Sequence, residues 1–221
     1  MIKAIILLVS VLCLCVSCNN SKDTYQKTYS NKEIKEIYDA SKTDLDFEVF
    51  ARAIRGLNNL KKIKRRHLIT IIDYSKSSHL KRLYVFDLHH KKLIFNDLVS
   101  HGVNSGKTLV DSFSNIPDSR QSSVGFMKAS ETYEGKHGLS LRLDGLEKEI
   151  NDSVRYREIT IHSADYATQE FIDKNGYLGR SHGCPAIPPK YSDSLIKYIA
   201  NGSCVYLHTN SPLYLDQTQI K

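Results

Sequence analysis

Two short stretches carry residue types that can do nucleophilic chemistry. "REITIHSADY" (Arg157 to Tyr166) places His162 and Ser163 at the end of a run rich in β-branched residues. "GRSHGCPAIP" (Gly179 to Pro188) places Ser181, His182, Gly183 and Cys184 in a turn-like setting. A thiol attacks a carbonyl as its thiolate, so a catalytic cysteine needs a basic or cationic neighbour, and histidine is the usual one. A glycine in the turn permits unusual backbone geometry and close approach of a substrate. Backbone amides there can face a developing oxyanion. Arg180 just before the turn can hold a carboxylate with two parallel N–H groups. Spacing alone leaves Cys184 open as nucleophile, metal ligand, disulfide partner or small core residue. A zinc set of His101, His162, His182 and Cys184 lacks a tight pair such as HxH, HExxH or CxxC, so no metal is expected.

These residues must be held by a scaffold, and the texture after Arg66 is that of strands. "HLITIIDY", "RLYVFDLHH", "KLIFNDLVSHG", "SLRLDG", "REITIHS" and "SCVYLH" are short β-branched and aromatic runs punctuated by Gly, Asn, Ser and Asp. Between them, "VNSGKTLVDSFSNIPDSRQSSVG" is a loop long enough to imply a functional role. "DLDFEVFARAIRGLNNLKKIK" is helical, with Phe47, Phe50, Ala51, Ile54 and Leu57 on one face and Asp44 placed as cap. "KEIKEIYDA" predicts a shorter helix before it, and "PPKYSDSLIKYIANG" a helix that Gly202 ends. "KKIKRR" (Lys61 to Arg66) reads as a solvated basic face. His67, His79, His89, His90 and His208 lie in or beside strand-like runs and read as structural.

The N-terminus bears on the compartment. The apolar run from Ala4 to Val16 is shorter than the roughly 20 residues of a membrane span and fits a secretory signal. Val16-Ser17-Cys18 resembles a bacterial lipoprotein cleavage box, with Cys18 as the lipidated first residue; Cys15 stands where that box prefers Leu. Cys13 and Cys15 would leave with the signal. Cys184 and Cys204 then remain in the folded part, open to a disulfide, although the strand-like setting of Cys204 suits a buried small residue. The expected division is a signal peptide at 1–17, a tether at 18–43, a helical attachment at 44–66 and a catalytic domain at 67–221. Net charge is +7. An exported basic chain meets anionic envelope polymer or lipid headgroups, and no nucleic acid partner is expected.

His162 followed by Ser181-His182-Gly183-Cys184 resembles the signature of the L,D-transpeptidase (YkuD-like) family. "RLYVFDL", "SHGVNSG", "FSNIPDSRQSSVGF", "ETYEGKHGLSLRLDGLEKEIND", "REITIHSADY" and "GRSHGCPAIPP" are similar to a murein L,D-transpeptidase branch of Gram-negative lipoproteins, over roughly residues 45 to 208. The resemblance implies a mainly β, sandwich-like catalytic domain with a short N-terminal helical attachment. It implies Cys184 as nucleophile, His162 as base, the Ser163 carbonyl as orienter and the amides of His182, Gly183 and Cys184 as oxyanion hole. It implies acyl transfer between peptidoglycan stem peptides, from a tetrapeptide donor to a diaminoacyl amine, giving 3–3 cross-links without a cofactor. Arg180 and Ser181, with Tyr133, His101 and His137 from the similar stretches, are expected substrate contacts. Two departures stand out: "TQEFIDKNGYLG" lengthens the segment between the two motifs, and Pro185 to Pro188 replaces the family's Arg or apolar residue and Asn after the cysteine. The expected protein is a monomer on the periplasmic side of the cell envelope, held to the inner or outer membrane by lipid on Cys18. Hydrolysis of the thioester (L,D-carboxypeptidase), attachment or detachment of a protein at the wall, a zinc hydrolase and a non-catalytic wall-binding lipoprotein are the alternatives.

Overall fold

Alternating apolar residues in the central strands serve two separate cores, and this alternation organises the chain. The computed structural model describes residues 27–220. The signal at 1–17 and the lipidation at Cys18 lie outside the described residues. Eight strands form one sheet: β1 (Leu68–Asp73), β2 (Leu83–Asp87), β3 (Lys92–Asp97), β4 (Gly125–Gly135), β5 (Gly138–Gly145), β6 (Thr160–Ser163), β7 (Ala186–Ile187) and β8 (Cys204–His208), in the order β3-β2-β1-β8-β4-β5-β6-β7. The last strand is central, parallel to β1 and antiparallel to β4.

Ile69, Ile71, Tyr84, Phe86, Phe126, Cys204 and Tyr206 face one core, while Ile72, Leu83, Val85, Met127, Val205 and Leu207 face the other. The second core also takes Leu141 and Leu143 of β5, Ile161 of β6 and Leu195, Ile196 and Ile199 of helix α4 (Ser192–Ile199). The sheet therefore curls around its own interior and is nearly barrel-like. The mainly β fold expected from the sequence is the fold observed, with one curled sheet in place of two stacked ones.

The first core lies under the N-terminal helices α1 (Asn31–Ser41) and α2 (Phe47–Asn59). The apolar stripe of α2 rests on the sheet, with Phe50 edge-on to Phe86 at 5.0 Å between ring centroids. Asp46, not Asp44, caps α2, accepting from the Glu48 and Val49 amides at 2.8 and 3.2 Å. Asp44 instead binds Lys76 at 3.1 Å. α1 falls inside the segment expected as tether, yet it buries Ile34 and Ile37. A capping box starts it: Ser30 Oγ accepts from the Glu33 amide, and the Glu33 carboxylate accepts from the Ser30 amide. The "KKIKRR" stretch is only partly a solvated face, since Ile63 and Arg66 are buried. The Arg66 guanidinium donates to the carbonyls of Lys27, Leu57 and Leu60.

One irregularity positions the site. Between Ala129 and Thr132, β4 advances one residue more than β5 opposite it. Such a bulge bends its strand and increases the local twist. The outer half of β4 then runs to a hairpin tip, Lys136-His137, closed by Gly138 at φ +74°, which glycine adopts without side-chain strain.

Candidate active site

β6 carries His162 at its inner end, with His162 beside Ala186 and Ser163 beside Ile187 in β7. The imidazole is 5% exposed. Its Nδ1–H donates to the Ser163 carbonyl at 2.8 Å. That bond fixes the tautomer and leaves the Nε2 lone pair to act as a base. The His137 ring lies flat on the His162 ring, 4.3 Å between centroids and 16° between planes. Burial lowers the His162 pKa below its ordinary value, opposed by the Ser163 bond and reinforced by the nearby His137 and Lys136.

The Cys184 turn is pinned on both sides. The Ser181 amide donates to the His101 carbonyl at 2.9 Å, and the Val103 amide donates to the Ser181 carbonyl at 2.8 Å. Ser181 Oγ donates to the Cys184 carbonyl at 2.6 Å and accepts from the Gly183 amide at 3.0 Å. Gly183 has φ +122°, and a Cβ there would stand 2.8 Å from the Gln121 carbonyl oxygen. Beneath the turn, Arg157 donates to the Ser114 carbonyl, to Ser123 Oγ at 2.7 Å, to Ser119 Oγ at 3.1 Å and to the Gln121 carbonyl at 2.7 Å. One half-buried guanidinium thus gathers the 103–124 loop beside the Cys184 turn.

Cys184 Sγ accepts from the Thr160 amide at 3.5 Å, lies 3.9 Å from Thr160 Oγ1 and points its thiol at the Glu158 carbonyl, 3.7 Å away. Burial pushes the thiol's pKa up, against the Thr160 contacts and the charges of Arg157 and Lys136, which favour the thiolate. Burial thus disfavours the charged form of both side chains, so the directions favour a neutral thiol beside a neutral imidazole. Among the described residues no hydrogen bond joins Sγ to the His162 ring.

The remaining sequence-expected residues divide. His182 is exposed, and Tyr133 is half-buried with the Arg142 guanidinium over its ring at 4.3 Å. His101 does not line the cleft with its ring. It is fully buried, Nδ1 accepting from Arg82 at 2.8 Å and Nε2–H donating to the Gly106 carbonyl at 3.2 Å. Burial and the Arg82 and Arg180 charges lower its pKa to about 4, while the Gly106 bond opposes them. Arg180 braces a loop, its Nη1 donating to the Val103 and Gly106 carbonyls at 3.4 and 3.0 Å. The Gly183 amide is taken by Ser181 Oγ, which leaves the His182 and Cys184 amides for an oxyanion. His137 stacks on the His162 ring, a placement the sequence reading did not give it. Cys184 and Cys204 are both free thiols, and Cys204 is fully buried in β8. Among the described residues no group of three His, Cys, Asp or Glu side chains could hold a metal ion.

Arg157, Thr160 and Arg82 are the site-supporting residues the sequence reading missed. Arg157 and Thr160 sit within "REITIHSADY", so proximity to His162 was their one sequence signal. Arg82 had none, because its partner His101 is remote in sequence.

The chain is a member of the L,D-transpeptidase catalytic domain family, whose sequence model matches residues 41–208. Among solved structures it is similar to an L,D-transpeptidase from Mycobacterium smegmatis, at 12% identity over 65% of this chain and 59% of that one, TM-score 0.41. It is similar to an L,D-transpeptidase (Yku) from Stackebrandtia nassauensis, at 16% identity over 77% and 69%, TM-score 0.40. A third similar structure is the helical cell shape determining protein Pgp2 from Campylobacter jejuni, at 12% identity over 65% and 48%, TM-score 0.41. The chain thus spans less than two thirds of the Mycobacterium and Campylobacter chains. No curated protein matches it.

Proposed function

We propose that this protein is a peptidoglycan L,D-transpeptidase that forms 3–3 cross-links through a thioester on Cys184. The observation that carries this reading is the Nδ1–H bond from His162 to the Ser163 carbonyl, which readies Nε2 as a base in the strand beside the Cys184 turn. The Cys184 side chain turns from Glu158, His162 Nε2 takes the thiol proton, and Sγ adds to the carbonyl of the diaminoacyl residue of a donor tetrapeptide. The oxyanion meets the amides of His182 and Cys184. Collapse breaks the amide bond, and the imidazolium returns its proton to the departing D-alanine amine. The amine of a second stem then attacks the thioester; His162 takes the amine's proton and passes it to the leaving thiolate.

The neutral resting pair is compatible with this sequence. Proton transfer need occur only as Sγ meets the carbonyl, so the cost of a buried charge pair falls on the reacting complex.

Incubation with disaccharide-tetrapeptide and mass spectrometry of the products tests the reading. Cross-linked dimer is expected, and Cys184→Ala is expected to abolish it. Full turnover by Cys184→Ala would remove the mechanism. Tripeptide and D-alanine without dimer would make the enzyme an L,D-carboxypeptidase working through the same thioester. A carbapenem is expected to acylate Cys184, which a non-catalytic wall-binding protein would not permit. The reading includes lipid on Cys18 and a periplasmic-side location; Cys18→Ser is expected to release the protein from membranes.

A further inference from the structure

The base proposed above is covered by a second imidazole that no step of the reaction uses. His137 is exposed at the hairpin tip, yet its ring lies parallel to that of His162 at 4.3 Å. The bulge in β4 and Gly138 at φ +74° shape the hairpin that delivers it there.

We propose that His137 is a positioning residue for His162, holding the plane of the imidazole so that Nε2 stays aimed at the thiol. The inference rests on His162 acting as the base. The Ser163 bond restrains one ring nitrogen only, and a ring held at one edge can still rock about that bond. A second ring laid on its face removes the rocking and fixes the plane. Reaction rates respond steeply to such alignment. The stack also has an electrostatic consequence. Two imidazoles in contact resist carrying two protons, and Lys136 beside them acts in the same sense. Other charged or titratable groups on elements around His162 are Tyr133 on β4, Arg142 and Asp144 on β5, Arg157 and Glu158 before β6, Asp165 and Tyr166 after it, Cys184 before β7, and Asp193, Lys197 and Tyr198 on α4. The charges that lower the imidazole's pKa are those of the tip, His137 and Lys136. The tip therefore adds to burial in lowering the His162 pKa, as well as aligning the ring.

Two variants separate the roles, because His137→Phe keeps a ring on His162 and His137→Ala does not. With disaccharide-tetrapeptide, His137→Ala is expected to lower kcat by about 10- to 100-fold with KM little changed. His137→Phe is expected to recover most of that loss. In both variants the acid limb of kcat/KM is expected to move to higher pH, because the neighbour whose charge lowers the His162 pKa has gone. The His162 titration followed by NMR in the full chain is expected to move the same way. A KM rise at unchanged kcat would make His137 a substrate contact and overturn the inference. So would His137→Phe performing no better than His137→Ala, or a His162 titration that does not move. An inert wild-type enzyme would defeat the functional reading, whereas the NMR titration still decides whether His137 governs the His162 ring.

Discussion

Gly183 sits where a side chain has no room. Its φ of +122° is one that L side chains rarely adopt, and a Cβ would press on the Gln121 carbonyl that also receives Arg157. Gly183→Ala is expected to add about 1–3 kcal/mol of local strain and to displace the adjacent His182 and Cys184 amides. Carbapenem acylation of Cys184 should then slow by about 100-fold or more, measured by mass spectrometry against time. Arg157→Lys tests the brace below. A lysine keeps the charge but cannot reproduce a planar fork that reaches four oxygens. It should lower unfolding free energy in urea by about 1–3 kcal/mol, and wild-type stability would show that the brace is dispensable. At this scale His162 and Cys184 stood out as candidates in the sequence, because few residue types do this chemistry. Arg157 was not, since nothing in a lone arginine announces acceptors some 34 to 43 residues away.

The helices make the contrast between local and non-local signals plain. The apolar stripe of α2 was legible because a 3.6-residue period survives without its partner. The choice between Asp44 and Asp46 as cap was not, since both are acidic and Lys76, which claims Asp44, comes from another element. α1 was undervalued for the same reason: its worth lies in burying Ile34 and Ile37 against a core the sequence does not display. Ser30→Ala is expected to cost about 1 kcal/mol and to speed amide exchange through α1, with little change at β6. Unchanged protection of α1 would show that packing alone holds its start. Glu33 is held near 2 chiefly by Lys27, and also by Ser30. Its depressed value means that its stabilisation is present above the ordinary carboxylate range and is lost as pH falls toward 2.

Over the whole molecule, burial of neutral histidines sets the response to acid. Burial lowers the pKa of His101, His162 and His208, with His101 at about 4 against an ordinary 6.5. A histidine depressed in the folded state binds its proton first in the unfolded chain, so stability falls as pH drops through the window between the two values. For His101 alone the loss from pH 6.5 to 4 is about 3 kcal/mol. Urea unfolding across pH 7.5 to 4.5 should show that decline, and a flat profile would contradict neutral burial of these rings. Arg82 takes part in the same account. Its fully buried guanidinium donates to the Val99 and Lys76 carbonyls and to His101, so acid that protonates His101 sets two cations in contact.

The sequence by itself determined the strand texture and the α2 face, and it singled out Cys184 and His162 as candidates, because each is written in local period or in scarce residue types. Tertiary structure alone decided that the last strand lies between β1 and β4 and that one curled sheet encloses its own core. It alone set His137 on His162, buried the His101 ring against Arg82, gave Arg180 the Val103 and Gly106 carbonyls, and aimed the resting thiol at Glu158. The physical reason is common to these. Each depends on which distant backbone groups and rings come within contact range after packing, and local pattern carries no record of those pairings.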